Sequence, residues 1–120
     1  MTVAHAIMAA DRLYPNTFTE EEKIGWLKKM DEKIISSLFS LYTDSEKQTL
    51  PDYTETSVSL LIESPYDLLY LYELECRMAY WSRDTETYNH AAVLYRNLYE
   101  TYEREYHRTH RPKGAPRFVF

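Results

Sequence analysis

The run Ser64-Pro65-Tyr66-Asp67-Leu68-Leu69-Tyr70-Leu71-Tyr72-Glu73-Leu74-Glu75-Cys76-Arg77-Met78-Ala79-Tyr80-Trp81 governs how the rest of the chain is read. Ser64 suits a helix N-cap, Pro65 suits the first helical position, and Asp67 places a negative charge in the first turn, so a helix is expected to start here. Leu68, Leu71, Tyr72, Cys76 and Ala79 share one face. Leu69, Leu74, Met78 and Trp81 carry the apolar surface further around the cylinder. A helix apolar on so much of its circumference predicts a central position with neighbours on more than one side.

Working outward, Asp84 or Thr85 is expected to cap a last helix that runs to about residue 109. Its stripe is Tyr88, Ala91/Ala92, Tyr95, Leu98/Tyr99, Tyr102 and Tyr106, at helical spacing. Pro112, Gly114 and Pro116 prevent regular helix beyond it and leave an extended tail over 111–120. Upstream, Thr19-Glu20-Glu21-Glu22 reads as a capping box. The stripe Ile24, Leu27, Met30, Ile34 and Leu38 then predicts a helix over about 20–40, widened by Trp26 and Ile35. Thr2 can cap a first helix carrying Val3, Ala6, Ile7 and Ala10, which Tyr14-Pro15-Asn16 ends. Residues 43–64 lack strong periodicity, and Val58 to Ile62 reads as either a short strand or an extended connection. With two Gly and five Pro in 120 residues, the chain has little material for many turns. The expected fold is all-α: a small bundle of about four helices over 1–110, an irregular middle loop, and an extended C-terminal tail over 111–120.

Charge divides the chain in the same way. Residues 104–120 hold five Lys/Arg against Glu105 alone, a net +4, which leaves nine Lys/Arg and 18 Asp/Glu, a net −9, for the rest. An acidic body repels phosphate, which argues against nucleic-acid binding by the bundle and gives the basic tail an acidic protein surface as its expected partner. The single Cys76 cannot form an internal disulfide, and no apolar run approaches a membrane span, so a reducing cytosolic setting is expected. Met1-Thr2-Val3-Ala4-His5 lacks the basic start and apolar core of a signal peptide.

Candidate chemistry is sparse. Glu103, His107 and His110 stand at spacings of four and three and can share a helix face, but Arg104, Arg108 and Arg111 beside them would repel a cation; no metal and no cofactor is expected. Cys76 falls mid-helix on a core face, where a thiol is inert. Adjacent acids such as Glu73 and Glu75 point apart on a helix and do not form an acid–base pair. A Gly-rich phosphate loop and a nucleophile elbow are both missing, so an enzyme is not expected. Twelve tyrosines are the unusual feature; Tyr95, Tyr99 and Tyr102 fit a seam between helices, whereas Tyr106, near the chain's exit from the bundle, is expected at an interface. The tail residues Arg111, Lys113, Arg117, Phe118, Val119 and Phe120 form the expected partner-binding segment, suited to adding along a partner's surface.

Two blocks of the sequence resemble a known family. Tyr14-Pro15-Asn16-Thr17-Phe18-Thr19-Glu20-Glu21-Glu22-Lys23-Ile24-Gly25-Trp26-Leu27, continuing to Met30-Asp31-Glu32-Lys33-Ile34, is similar to small head–tail adaptor (connector) proteins of tailed phages and prophages. So are Pro65-Tyr66-Asp67-Leu68-Leu69-Tyr70, Tyr88-Asn89 and Arg108-Thr109-His110-Arg111-Pro112-Lys113-Gly114, in the family's order. His90 stands where a second Asn is usual, and Tyr95-Arg96 where Phe-Asn is usual. The resemblance implies a helical bundle that assembles as a ring, dodecameric in this family, beneath the portal protein of a DNA-filled head; the sequence leaves open whether the free chain is a monomer or an oligomer before assembly. The far face of that ring meets a stopper or tail-completion protein. It further implies a C-terminal segment that docks into the portal, DNA that passes through the ring without specific binding, no catalytic residues, and a place in the virion neck after synthesis in the host bacterial cytoplasm. The alternative from another class is a small helical DNA-binding or antitoxin-like regulatory protein.

Overall fold

The computed structural model describes residues 1–42 and 49–110. The expected loop at Thr43-Asp44-Ser45-Glu46 and the whole tail, Arg111 to Phe120, lie outside the described residues. The protein is all-α with helices α1 (Val3–Leu13), α2 (Glu20–Ser37), α3 (Leu68–Trp81) and α4 (Thr85–Thr109), plus a 3-10 turn at Phe39–Leu41 after α2. No strand forms among the described residues, and Val58 to Ile62 is an irregular connection, bent at Val58, Leu61 and Ile62, with one isolated bridge, Thr2 to Ser59.

Three helices, α1, α2 and α4, begin where a side-chain oxygen accepts from an otherwise unpaired backbone donor, whereas α3 starts at Leu68 with no side-chain cap. The Thr2 hydroxyl accepts from His5 N–H at 3.1 Å, and Thr19 accepts from Glu22 N–H at 3.2 Å. Glu20, Glu21 and Glu22 then place negative charge on the positive end of α2. Two further donors of α1 are satisfied from far along the chain: Val3 N–H bonds Val58 O at 3.1 Å, and Ala4 N–H bonds Thr56 O at 2.9 Å. The middle connection thereby works as a cap for the first helix. At the α1–α2 corner, Asn16 Nδ2 donates to Asp11 Oδ1 at 2.9 Å and to Tyr14 O at 2.8 Å, and its Oδ1 accepts from Phe18 N–H. The buried Lys23 reaches back from α2 to Asp11 at 2.8 Å. Burial works to raise the Asp11 carboxyl, but the hydrogen bonds from Lys23 and Asn16 and the Lys23 charge outweigh it and hold the group below its ordinary value. The Pro-Asn and Glu-Lys-Ile parts of the first sequence block thus have a local architectural job.

α3 is the central helix and packs against α1, α2 and α4. Its details differ from expectation in two respects. Ser64 is not its cap: Ser64-Pro65 is a cis peptide inside a turn, Tyr66 N–H bonds Glu63 O, and the helix starts at Leu68. The buried face is Leu69, Tyr70, Leu74, Cys76, Met78 and Ala79, rotated so that Leu68 and Trp81 are exposed. The rotation follows from α4, which lies along α3 as an antiparallel hairpin and covers the Cys76 and Ala79 side. α2 is also shorter than the expected 20–40, ending at Ser37 before the chain tightens into the 3-10 turn.

The hairpin turn is short. Asp84 N–H bonds Ala79 O at 2.9 Å and Arg83 N–H bonds Tyr80 O at 3.2 Å, the paired bonds of a Schellman motif, with Arg83 in the left-handed region at φ 59°. Asp84 then caps α4, its carboxylate accepting from Thr87 N–H at 3.2 Å. One residue closes α3 and opens α4.

Candidate functional site: the aromatic tip of the helical hairpin

The hairpin turn carries exposed aromatic rings. Tyr80 is 57% exposed, Trp81 62% and Tyr88 38%. Tyr80 stands edge-on to Trp81 with ring centroids 5.2 Å apart, and its centroid lies 5.8 Å from that of Tyr88. These rings line an open groove whose floor includes Ala79 and whose rim includes Arg83, Asp84 and Asn89. On its other side Trp81 borders a second groove made by Phe18, Trp26 and Lys29, in which Phe18 and Trp26 meet edge-on at 5.4 Å. Trp81 is the ridge between them. Exposed large aromatics gathered in one place, instead of scattered singly, mark an interaction surface.

The charges around the tip are fixed. Hydrogen bonds from Thr87, side chain and backbone, hold the Asp84 carboxyl below its ordinary value, helped by the Tyr14 hydroxyl at 3.3 Å. Arg77 Nε bonds Glu73 Oε1 at 2.9 Å, and that hydrogen bond raises the guanidinium above its usual range. Over residues 68–92 four carboxylates (Glu73, Glu75, Asp84 and Glu86) face two arginines (Arg77 and Arg83). The tip is therefore aromatic and mildly acidic.

Cys76 lies beneath this surface, with its thiol 3.8 Å from Tyr88 O. Burial, then the neighbouring Glu73 and Glu75, pushes it up to about 11, so it stays a protonated thiol at neutral pH.

The sequence-expected site residues are distributed differently. Arg111, Lys113, Arg117, Phe118, Val119 and Phe120 lie outside the described residues. Tyr106, expected at an interface, is packed within the subunit at 9% exposure. Phe39 stacks on one side at 5.0 Å and His110 on another at 3.8 Å, so little of the ring is left for a partner. Tyr95 and Tyr99 stack at 5.9 Å and Tyr102 is buried, consistent with a seam between helices. His107 Nε2 sits 3.9 Å from Glu103 Oε1, while His110 Nδ1 lies 3.1 Å from Tyr106 O. Among the described residues no group of three or more His, Cys, Asp or Glu side chains converges as a metal set would.

Sequence reasoning missed a buried polar cluster. Asp31, fully buried on α2, accepts hydrogen bonds from the Tyr53 hydroxyl and, at 2.7 Å, from the Tyr70 hydroxyl. Tyr70 in turn accepts from Ile62 N–H at 2.7 Å, and Leu61 N–H also serves the carboxylate. Burial raises the Asp31 carboxyl, and these donors only partly offset it. Burial, reinforced by the Asp31 charge, raises both phenols as well, so they remain donors. The cluster pins the middle connection onto α2 and α3. The available signal was an acid on an apolar stripe: Asp31 lies four residues from Leu27 and three from Ile34, where only a side chain with dedicated partners is tolerated.

Comparison with protein-family models, curated proteins and solved structures found no match for this chain. Among the described residues no helix is long and apolar enough to cross a membrane.

Proposed function

We propose that this protein is a structural assembly protein, a head–tail adaptor that forms a ring beneath a phage or prophage portal and links it to a stopper or tail-completion protein. The observation that carries the reading is the molecule's two-ended form. α4, 25 residues long, spans about 37 Å at 1.5 Å per residue. The exposed aromatic tip lies at its start, and the basic segment that follows His110 leaves from its end. A protein that joins two different neighbours needs two separated attachment points on a rigid rod. The two sequence blocks that resemble the adaptor family agree with this, and the polar groups of the interior are committed to architecture.

In this reading Arg111, Lys113 and Arg117 to Phe120 dock into the portal, and the ring surrounds the DNA path with an acidic body that lets the duplex slide. Catalysis, a cofactor and a resident metal have no part in it. The test is a pull-down with the portal protein encoded alongside it. The chain lacking Arg117–Phe120 is expected to keep its helical circular dichroism and to lose portal binding. Normal docking by the truncated chain removes the tail from the mechanism. Tight, salt-sensitive duplex binding by the free chain would instead favour the regulatory DNA-binding alternative.

A further inference from the structure

We propose that, in the absence of a portal, the Arg117–Phe120 segment of one copy docks in the Tyr80–Trp81–Tyr88 groove of the next copy, a head-to-tail contact. It is independent of the adaptor reading: that reading assigns the segment's final partner, and this one assigns the surface that holds it in the free protein.

The first argument is chemical fit. The segment offers one guanidinium followed by Phe118, Val119 and Phe120. The groove offers three exposed rings, and an arginine over an aromatic face or an aromatic pair edge to face is favourable. The charges also match along the molecule's length. The tip end carries Glu20, Glu21 and Glu22 at the start of α2 and an excess of carboxylates over arginines in the hairpin. The opposite end carries Arg104 and Arg108 in the last turns of α4, and the sequence of residues 104–120 sums to +4. Acidic tip and basic exit attract each other between copies and orient the encounter.

The second argument is reach. His110 lies 22 residues beyond Tyr88 and 26 beyond Asp84 in sequence, almost all of it α4, so the groove is about 33–39 Å from the point where the segment departs. Phe118 is eight residues past His110 and, fully extended, lies at most about 26–29 Å away. The segment would also have to double back along α4 through Pro112, Gly114 and Pro116. Phe118 falls short of its own subunit's groove, and Phe120, ten residues past His110 and at most about 33–36 Å away when fully extended, meets only its near edge, so the segment as a whole docks on another copy.

A contact between two different patches is heterologous: every copy gives one segment and receives one, which produces a ring where the rotation closes and an open chain where it does not. A portal that takes the segment would release this contact.

Complementation by sedimentation velocity tests the proposal with full chains. The tip variant Y80S/W81S keeps its segment, and the segment variant F118S/F120S keeps its tip. Both tip positions are exposed, so the tip variant is expected to match the wild-type circular dichroism and melting, and the same two measurements serve as the folding control for the segment variant. Wild type is expected to show concentration-dependent assembly, and each variant alone a self-association at least tenfold weaker. An equimolar mixture is expected to give a 1:1 heterodimer that grows no further, because the remaining tip and segment are both disabled. A monomeric wild type, wild-type assembly by either variant, or a mixture that stays monomeric each overturns the proposal. None of these outcomes changes the portal pull-down, so the two readings fail separately.

Discussion

Both ends of this molecule are built from aromatic rings, yet one end is sealed and the other is open. At the far end of α4, Phe39 stacks on Tyr106 at 5.0 Å, Tyr42 meets Tyr106 edge-on at 5.1 Å, and Tyr66 tilts against Tyr102 at 5.1 Å. Phe39 and Tyr42 are essentially inaccessible. At the hairpin tip, Tyr80, Trp81 and Tyr88 make similar ring-to-ring contacts and remain exposed. The difference lies in the connections. The long path between α2 and α3 supplies Phe39, Tyr42 and Tyr66 to cover one end, whereas Ser82-Arg83-Asp84 is too short to cover anything. An abundance of tyrosine therefore says little about where partners bind; the length of chain available to lie over the rings decides it.

The contrast can be broken most forcefully at the sealed end. Phe39→Ala removes a ring that is 0% exposed and is expected to lower the unfolding free energy by about 3–5 kcal/mol in urea titration. A loss under about 1 kcal/mol would mean that this end is not a packed core. Next comes the polar pin beneath it. Because burial raises Asp31, the folded chain holds that proton more tightly than the unfolded chain. Its stabilising contribution is full below about pH 4 and is lost as pH rises through the raised value, with a slope of at most about 1.4 kcal/mol per unit. Asp31→Asn does not titrate, so stability measured from pH 4 to 7 should shift in the variant's favour relative to wild type as pH rises. Parallel profiles would show that Asp31 ionises as an ordinary carboxylate. The smallest effect belongs to the open end: Arg83→Gly relieves a left-handed residue and is expected to add about 1 kcal/mol without touching the rings. A destabilised variant would mean that the Arg83 side chain holds the turn by contacts of its own.

Much of the fold was legible because its determinants are local. Thr2, the Thr19 box and Asp84 announce three helix starts through chemistry within three residues, and α4 ends at Thr109, as its stripe and the prolines beyond it suggest. The start of α3 misled, since Ser64 and Pro65 carry a strong local signal but belong to the preceding turn. The role of the middle connection was invisible because it depends on a chain return: Val58 and Thr56 matter only where their carbonyls meet α1. The same holds for the candidate site. Trp81 falls on a helix position that reads as core, but among the described residues no chain lies over it at the bundle's end and it is exposed. Asp31 was hidden for the opposite reason, its partners Tyr53 and Tyr70 lying 22 and 39 residues away.

Asp84's double duty has a mechanical corollary. With no slack between the helices, the azimuth of α4 about its own axis is locked to α3, and one inserted residue would turn α4 by about 100°. Carried along about 37 Å of continuous helix, that turn would re-aim Arg108 toward a different quarter. Loop length at the tip thereby sets the bearing of the chain's departure at the opposite pole.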